Sequence, residues 1–272
     1  MAEIKAADVS KLRKITGAGM MDCKKALQEA DGDFDKAMEI IRKKGQAIAS
    51  KRADREASEG TVQAKTSGGF GAMISLNCET DFVAKNEDFV NFAISLLDAA
   101  IENKVSDLEA LKELNIDGKT VSEMVTEQTG IVGEKMELAY YDKVEAESVV
   151  AYNHMGNNLA TIVGFNKAVD ERVGKDVAMQ IAAMSPVAVD ENGVPTETIE
   201  NEKKIGREKA LAEGKPENIV DRIAEGMLKK FLKENTLLNQ EFTKDSKKTV
   251  AQYIKESDSD LTVTEFKRFS IK

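Results

Sequence analysis

The sequence contains no tryptophan, one histidine, two cysteines and three prolines. Each scarcity excludes a class of chemistry. A single His154 leaves no zinc constellation, and Cys23 and Cys78, neither in a Cys-x-x-Cys pair, make no disulfide framework. There is no Gly-x-Ser-x-Gly either, so most nucleophile–base pairs are ruled out. Aromatics are only 5% of the chain, which leaves core packing to Ala, Ile, Leu, Val and Met. Three prolines suit a chain rich in helix. No stretch approaches the ~18–20 uninterrupted apolar residues of a membrane span. The N-terminal MAEIKAADVS is charged from the start and has no apolar signal core. A cytoplasmic, thiol-reduced protein without membrane or cofactor is the expectation.

Positive charge is also short. The net charge is −9, and the basic residues are interleaved with acids. Direct nucleic-acid binding needs clustered Lys and Arg to replace counterions on phosphates. The most basic stretch, Lys43-Lys44 and Lys51-Arg52, reads instead as a solvated linker.

What is present is apolar periodicity. At 272 residues and 42% apolar, the chain suffices for about two domains with real cores. The first part reads as three short helices. Asp8 caps one carrying Val9, Leu12 and Ile15, which stops at Thr16-Gly17. Asp22 starts a second with Cys23, Ala26, Leu27 and Ala30, and Asp33 caps a third with Phe34, Ala37, Met38 and Ile41, ended by Gly45. From Ser50 to Gly60 nothing is periodic enough to bury.

Beyond Gly60 the period drops to two. Thr61–Lys65 and Ala72–Leu76 flank a glycine-rich turn, which is a hairpin signature, and a helix with a wide apolar face of Phe89, Val90, Phe92, Ala93, Leu96, Leu97 and Ala100 follows. Asp107–Leu114 and Thr120–Thr129 read as shorter helices, and Lys135–Glu147 as a further strand. The unit then recurs: Ser148–Tyr152, a turn across His154–Asn158, Leu159–Phe165, and a helix with Val173, Val177, Ile181 and Met184. A shift of about 87 residues places Val90 on Val177, Ile94 on Ile181 and Leu97 on Met184, a pattern consistent with duplication. The charged Thr196–Glu213 and the more apolar Glu217–Phe231, separated by Gly214-Lys215-Pro216, predict two antiparallel helices in a projecting arm. A short helix near Lys247–Glu256 and an alternating strand, Leu261–Phe266, close the chain beside the second sheet.

One segment resists a purely architectural reading. Cys78-Glu79-Thr80-Asp81-Phe82-Val83-Ala84-Lys85-Asn86 lies between the first hairpin and the Phe89 helix. Phe82 beside Asp81 can be an exposed apolar knob with an anion next to it. Burying such a ring in a partner contributes about 1.5–3 kcal/mol, enough for a hot spot. Against this, Phe82 can simply pack on its own sheet while Asp81 caps the next helix. The residues alone leave both open and favour this second reading slightly.

Two runs carry a resemblance. Thr16-Gly17-Ala18-Gly19-Met20-Met21-Asp22-Cys23-Lys24-Lys25-Ala26-Leu27 and Asn77-Cys78-Glu79-Thr80-Asp81-Phe82-Val83-Ala84-Lys85 resemble the two signature motifs of the elongation factor Ts family, in the family's order and spacing. The resemblance implies an α+β fold: an N-terminal three-helix ubiquitin-associated-like domain, a core of two related subdomains with antiparallel sheets, and an inserted antiparallel helical hairpin. The expected division is 1–50 for the three-helix domain and 51–60 for a linker. Residues 61–143 form the first core subdomain, 144–186 with 232–272 the second and its C-terminal module, and 187–231 the arm.

The family's activity is guanine-nucleotide exchange on the GTPase elongation factor Tu, with no chemical catalysis. By motif, Thr80, Asp81, Phe82 and Val83 would dislocate the partner's Mg²⁺ site. Arg13, Met20, Met21 and Lys24 would form a docking face, and His154 would contact another domain of the partner. Gln240–Ser246 matches the family's C-terminal contact segment only loosely, with Thr243-Lys244 where many relatives are apolar. Two competing classes are a general adaptor built on the three-helix domain and an acidic hydrolase with a carboxylate site. A pull-down lacking any GTPase would mark the first, and hydrolysis lost with one Asp or Glu change the second.

Overall fold

The computed structural model describes residues 4–271. Its first three helices, α1 (Ala6–Thr16), α2 (Met20–Glu29) and α3 (Phe34–Arg52), bury Val9, Leu12, Cys23, Ala26, Leu27 and Ala37 in one small core. Asp33 caps α3 as expected, accepting the Lys36 N–H at 3.1 Å. Asp8 and Asp22 do not cap. They lie in the first turns of α1 and α2, whose N-caps are Lys5 and Gly19, and there a carboxylate still complements the helix dipole. Ile15, expected inside, is exposed.

The expected stop at Gly45 is also corrected. Helix α3 runs on to Arg52, so Lys43, Lys44, Lys51 and Arg52 are helical. Gly45 is buried in mid-helix because another backbone passes there: Gly130, on a helix described below, packs directly against it. A glycine after an apolar stripe marks a helix end or a close crossing, and here it marks the crossing.

The hairpin of β1 (Glu59–Ser67) and β2 (Phe70–Cys78) turns through Gly68-Gly69. After it come α4 (Asp81–Ala84), α5 (Glu87–Glu102), α6 (Leu108–Glu113) and the small hairpin of β3 (Asn115–Ile116) with β4 (Lys119–Thr120), which the periodicity does not reveal. Helix α7 (Val121–Val132) opens with a capping box of Thr120 and Glu123. Strand β5 (Met136–Glu145) then joins the edge of β2 to give the order β1-β2-β5. The apolar face of α5 seals one side of this sheet with Phe89, Ala93, Leu96, Leu97 and Ala100.

The second unit repeats the scheme. Strands β6 (Ser148–Asn153) and β7 (Leu159–Phe165) form a hairpin, and α8 (Glu171–Met184) covers it. After α9 (Thr196–Ala212), α10 (Glu217–Asn235), the β8 (Glu241–Phe242)–β9 (Asp245–Thr249) hairpin and α11 (Val250–Ser257), strand β10 (Val263–Ser270) pairs with β7. In both units the late strand lies beside the second strand of the hairpin. The repeat holds for elements and not for the residue pairs read from the sequence. Val177 and Ile181 are sealed, whereas Val90 and Ile94 are half-buried because α5 turns a stripe starting at Phe89 toward its sheet, and Met184, the last residue of α8, is exposed.

The inner faces of the two sheets pack on each other through Val62, Ala64, Met73, Val144, Val149, Ala160 and Ile162. Tyr140 stacks on Phe269 at 4.0 Å across this layer. Two sheets sealed face to face, each with helices outside, make a stiff base. The α9–α10 arm is antiparallel and close at Gly206 and Ala224, and α9 buries only Gly206 and Ala210. Most of α9 therefore stays in water, as its charge predicts.

Candidate partner-binding site

The segment Cys78–Lys85 leaves the end of β2 and is pinned residue by residue. Cys78 is buried; its thiol, pushed up to about 12 chiefly by burial, stays protonated and donates to the Thr80 carbonyl at 3.2 Å. Glu79 has a side chain only 12% exposed. Its carboxylate accepts from Arg52 at 2.7 Å, from Arg55 at 3.1 Å and from the Lys135 N–H at 2.6 Å. That backbone donor, helped by the two guanidiniums, holds the Glu79 carboxyl below its ordinary range against the opposing effect of burial. Next in line, Thr80 donates its N–H and hydroxyl to Glu134 at 3.0 and 2.8 Å. The Thr80 hydroxyl also faces the Val83 N–H and caps the single turn of α4.

On this anchored turn Phe82 is 83% exposed. The alternative of a ring packed on its own sheet is thereby excluded, and Thr80, not Asp81, is the cap. Asp81 pairs with Lys85 at 2.6 Å, an interaction that holds its carboxyl below the usual carboxylate range. Val83 turns inward, half-buried against the first sheet's core. Asn86 caps α5 by accepting the Asp88 N–H. The geometry presents one aromatic ring and one carboxylate on a rigid stub. Of its supports, Glu79, Glu134, Arg52 and Arg55 were not picked out from the sequence; Glu79 stands inside the motif, while the others lie too far away in sequence to be paired with it by spacing.

The remaining candidates lie elsewhere on the surface. Met20 and Met21 are 58% and 63% exposed at the start of α2; Lys24 one turn on along α2 and Arg13 on α1 are exposed as well. Ile15 adds an exposed aliphatic group to that region. Ile15, Met38, Ile41, Val83, Phe89 and Ile131 line one groove of about 880 Å³. The N-terminal helices and the motif are thus walls of one depression. His154 stands apart. It is exposed in the β6–β7 turn, within 2.9 Å of the Tyr152 hydroxyl, next to a fully presented Met155. Among the described residues no hydrogen bond or ion pair joins it to the other candidates. No group of three or more His, Cys, Asp or Glu side chains suited to a metal occurs among the described residues, and no helix there is long and apolar enough to cross a membrane.

Comparison with known proteins gives this geometry its setting. The family model described as Elongation factor TS matches residues 79–272, beginning at the anchored Glu79. The chain belongs to the elongation factor Ts family. It is 55% identical over 265 residues to Elongation factor Ts of Azobacteroides pseudotrichonymphae, covering 97% of each chain. It is 52% identical over 265 residues to that of Porphyromonas gingivalis, again 97% of each. To that of Christiangramia forsetii it is 50% identical over 275 residues, spanning both chains entirely. Membership in the elongation factor Ts family implies nucleotide exchange on elongation factor Tu in translation elongation, an activity of binding. The mixed fold with small antiparallel sheets and an N-terminal helical region is the one expected for elongation factor Ts.

Proposed function

We propose that this chain accelerates GDP release from elongation factor Tu by forcing Phe82 and Asp81 toward the partner's Mg²⁺ site. The carrying observation is the exposure of Phe82 on a turn whose root is held at Glu79, Thr80 and Glu134. A knob on a loose loop would lose its leverage to its own motion; this one transmits force to two packed sheets.

The energetics are those of linkage. A factor that binds the nucleotide-free, Mg²⁺-distorted partner more tightly than the loaded one lowers nucleotide affinity by the same ratio. Mg²⁺ neutralises much of the phosphate charge, so displacing it removes a large local attraction for GDP. Thr80 and Val83 frame the knob, and the exposed face of Arg13, Met20, Met21 and Lys24 docks the three-helix domain of residues 1–50. His154 makes a third contact, reached from the second core subdomain. The partner is a protein; neither nucleic acid nor membrane is gripped directly, and the setting is the cytoplasm.

The test is release of a fluorescent GDP analogue from purified elongation factor Tu. Catalytic amounts of this protein should speed release by orders of magnitude over the spontaneous rate. Release at the spontaneous rate despite stable binding would reject the proposal.

A further inference from the structure

We infer that Glu79 is a positioning residue that ties α3, on which the α1–α2 pair bearing the N-terminal docking face is packed, to the root of the Phe82 knob, so that both meet a partner in one fixed geometry. Its consequence for exchange rests on the function proposed above, whereas the tie itself does not.

Arg52 is the last residue of α3, and Arg55 follows three residues later in the segment leading to β1. Both guanidiniums converge on the Glu79 carboxylate, at 2.7 and 3.1 Å. The same carboxylate takes the N–H of Lys135, and the adjacent Glu134 holds Thr80. Lys135 in turn donates its ammonium to the Arg55 carbonyl at 3.0 Å. The end of α3, the exit from α7 and the first residues of the motif therefore meet at one carboxylate.

A second tie lies further up the same helix, where Gly45 packs on Gly130 of α7. One contact between two bodies leaves rotation about that contact. Two contacts separated along a helix remove most of that freedom. The glycine crossing and the Glu79 junction together fix α3, and the α1–α2 pair packed on it, relative to Phe82. Two apolar anchors held at a set spacing bind as one unit, because engaging the first presents the second at high effective concentration without further ordering. A carboxylate that only supported its own turn could draw its donors from that turn; Glu79 draws two guanidiniums from the N-terminal side instead. The two arginines from the N-terminal side carry the longer-range role.

Two measurements test this. Without any partner, trypsin should cut at Arg52 and Arg55 about tenfold faster in Glu79→Ala than in wild type, because the segment opens once its tie is gone. In the exchange assay, Met21→Ala should raise the half-saturating concentration about tenfold in wild type but less than about twofold in Glu79→Ala, a coupling of about 1 kcal/mol between residues that do not touch. Arg52→Ala with Arg55→Ala, which cuts the tie from the other side, should reproduce that loss. Should Glu79→Ala fail to fold, Glu79→Gln, which keeps an acceptor for Lys135, replaces it in both arms. Unchanged cleavage, or an equal penalty for Met21→Ala in both backgrounds, overturns the inference. Absence of any GDP release by wild type rejects the exchange proposal instead, and the cleavage rates then decide the tie.

Discussion

Gly45 of α3 and Gly130 of α7 meet backbone to backbone, and their contact is lopsided. A Cβ added to Gly130 falls 2.2 Å from the Gly45 Cα, an impossible distance, while one added to Gly45 clears the Gly130 Cα by 3.5 Å. Both glycines are helical, so conformational freedom is not what requires them. Close approach requires one of the two.

The two alanine variants should therefore diverge in sign. Gly130→Ala forces α3 and α7 apart and should cost about 1–3 kcal/mol. Gly45→Ala has room and gains helix propensity, so it should be neutral or stabilising by up to about 1 kcal/mol. Denaturant midpoints at constant slope measure both. Equal losses in the two variants would show that the crossing is not lopsided and that both glycines are required.

Met20 and Met21 should matter for binding and not for folding. Truncating either exposed side chain to alanine should leave stability within about 0.5 kcal/mol. Each should raise the half-saturating concentration in the exchange assay about tenfold, the usual scale of an interface anchor, with the maximal rate little changed. Concentration series read the two parameters separately.

The elements were largely legible in the sequence because their signals are local. Asp33 with its apolar stripe and the alternation around the first hairpin each specify an element within a few residues. Asp8 and Asp22 misled by small offsets, since an acid in a first turn and an acid at the cap look alike from sequence. Gly45 misled for a deeper reason: its partner Gly130 lies on another helix, and no local pattern reports a crossing. The site was half-legible. The motif and its resemblance drew attention to Phe82, but its exposure depends on which neighbouring side chains pack on the core, and there Phe89 is buried and Val83 half-buried while Phe82 is left outside. Glu79 was hidden in plain view, because its role is set by Arg52, Arg55 and Lys135.

The Glu79 junction also fixes a pH dependence. The Lys135 N–H, then Arg52 and Arg55, hold the carboxyl below its ordinary 4.5, against burial; Glu134 is the neighbouring acid and Lys135 the neighbouring ammonium. A carboxyl whose folded value is depressed contributes stability that is fully present above the unfolded value and is lost as pH falls through the folded one. Wild type should thus exceed Glu79→Gln in stability at neutral pH, and the gap should shrink as pH falls below the carboxyl's ordinary 4.5. Paired unfolding curves from pH 7 to pH 3 measure it. A gap that widened on acidification would reverse the sign assigned to this group.

Phe82→Ala decides the matter of the knob. The ring is 83% exposed, so its removal should leave the melting temperature and far-ultraviolet circular dichroism of the free protein essentially unchanged. Release of fluorescent GDP from elongation factor Tu at saturating factor should nonetheless fall by tenfold or more, on the scale of a lost interface hot spot. A folded Phe82→Ala variant that released GDP as fast as wild type would mean that the exposed ring does not drive exchange.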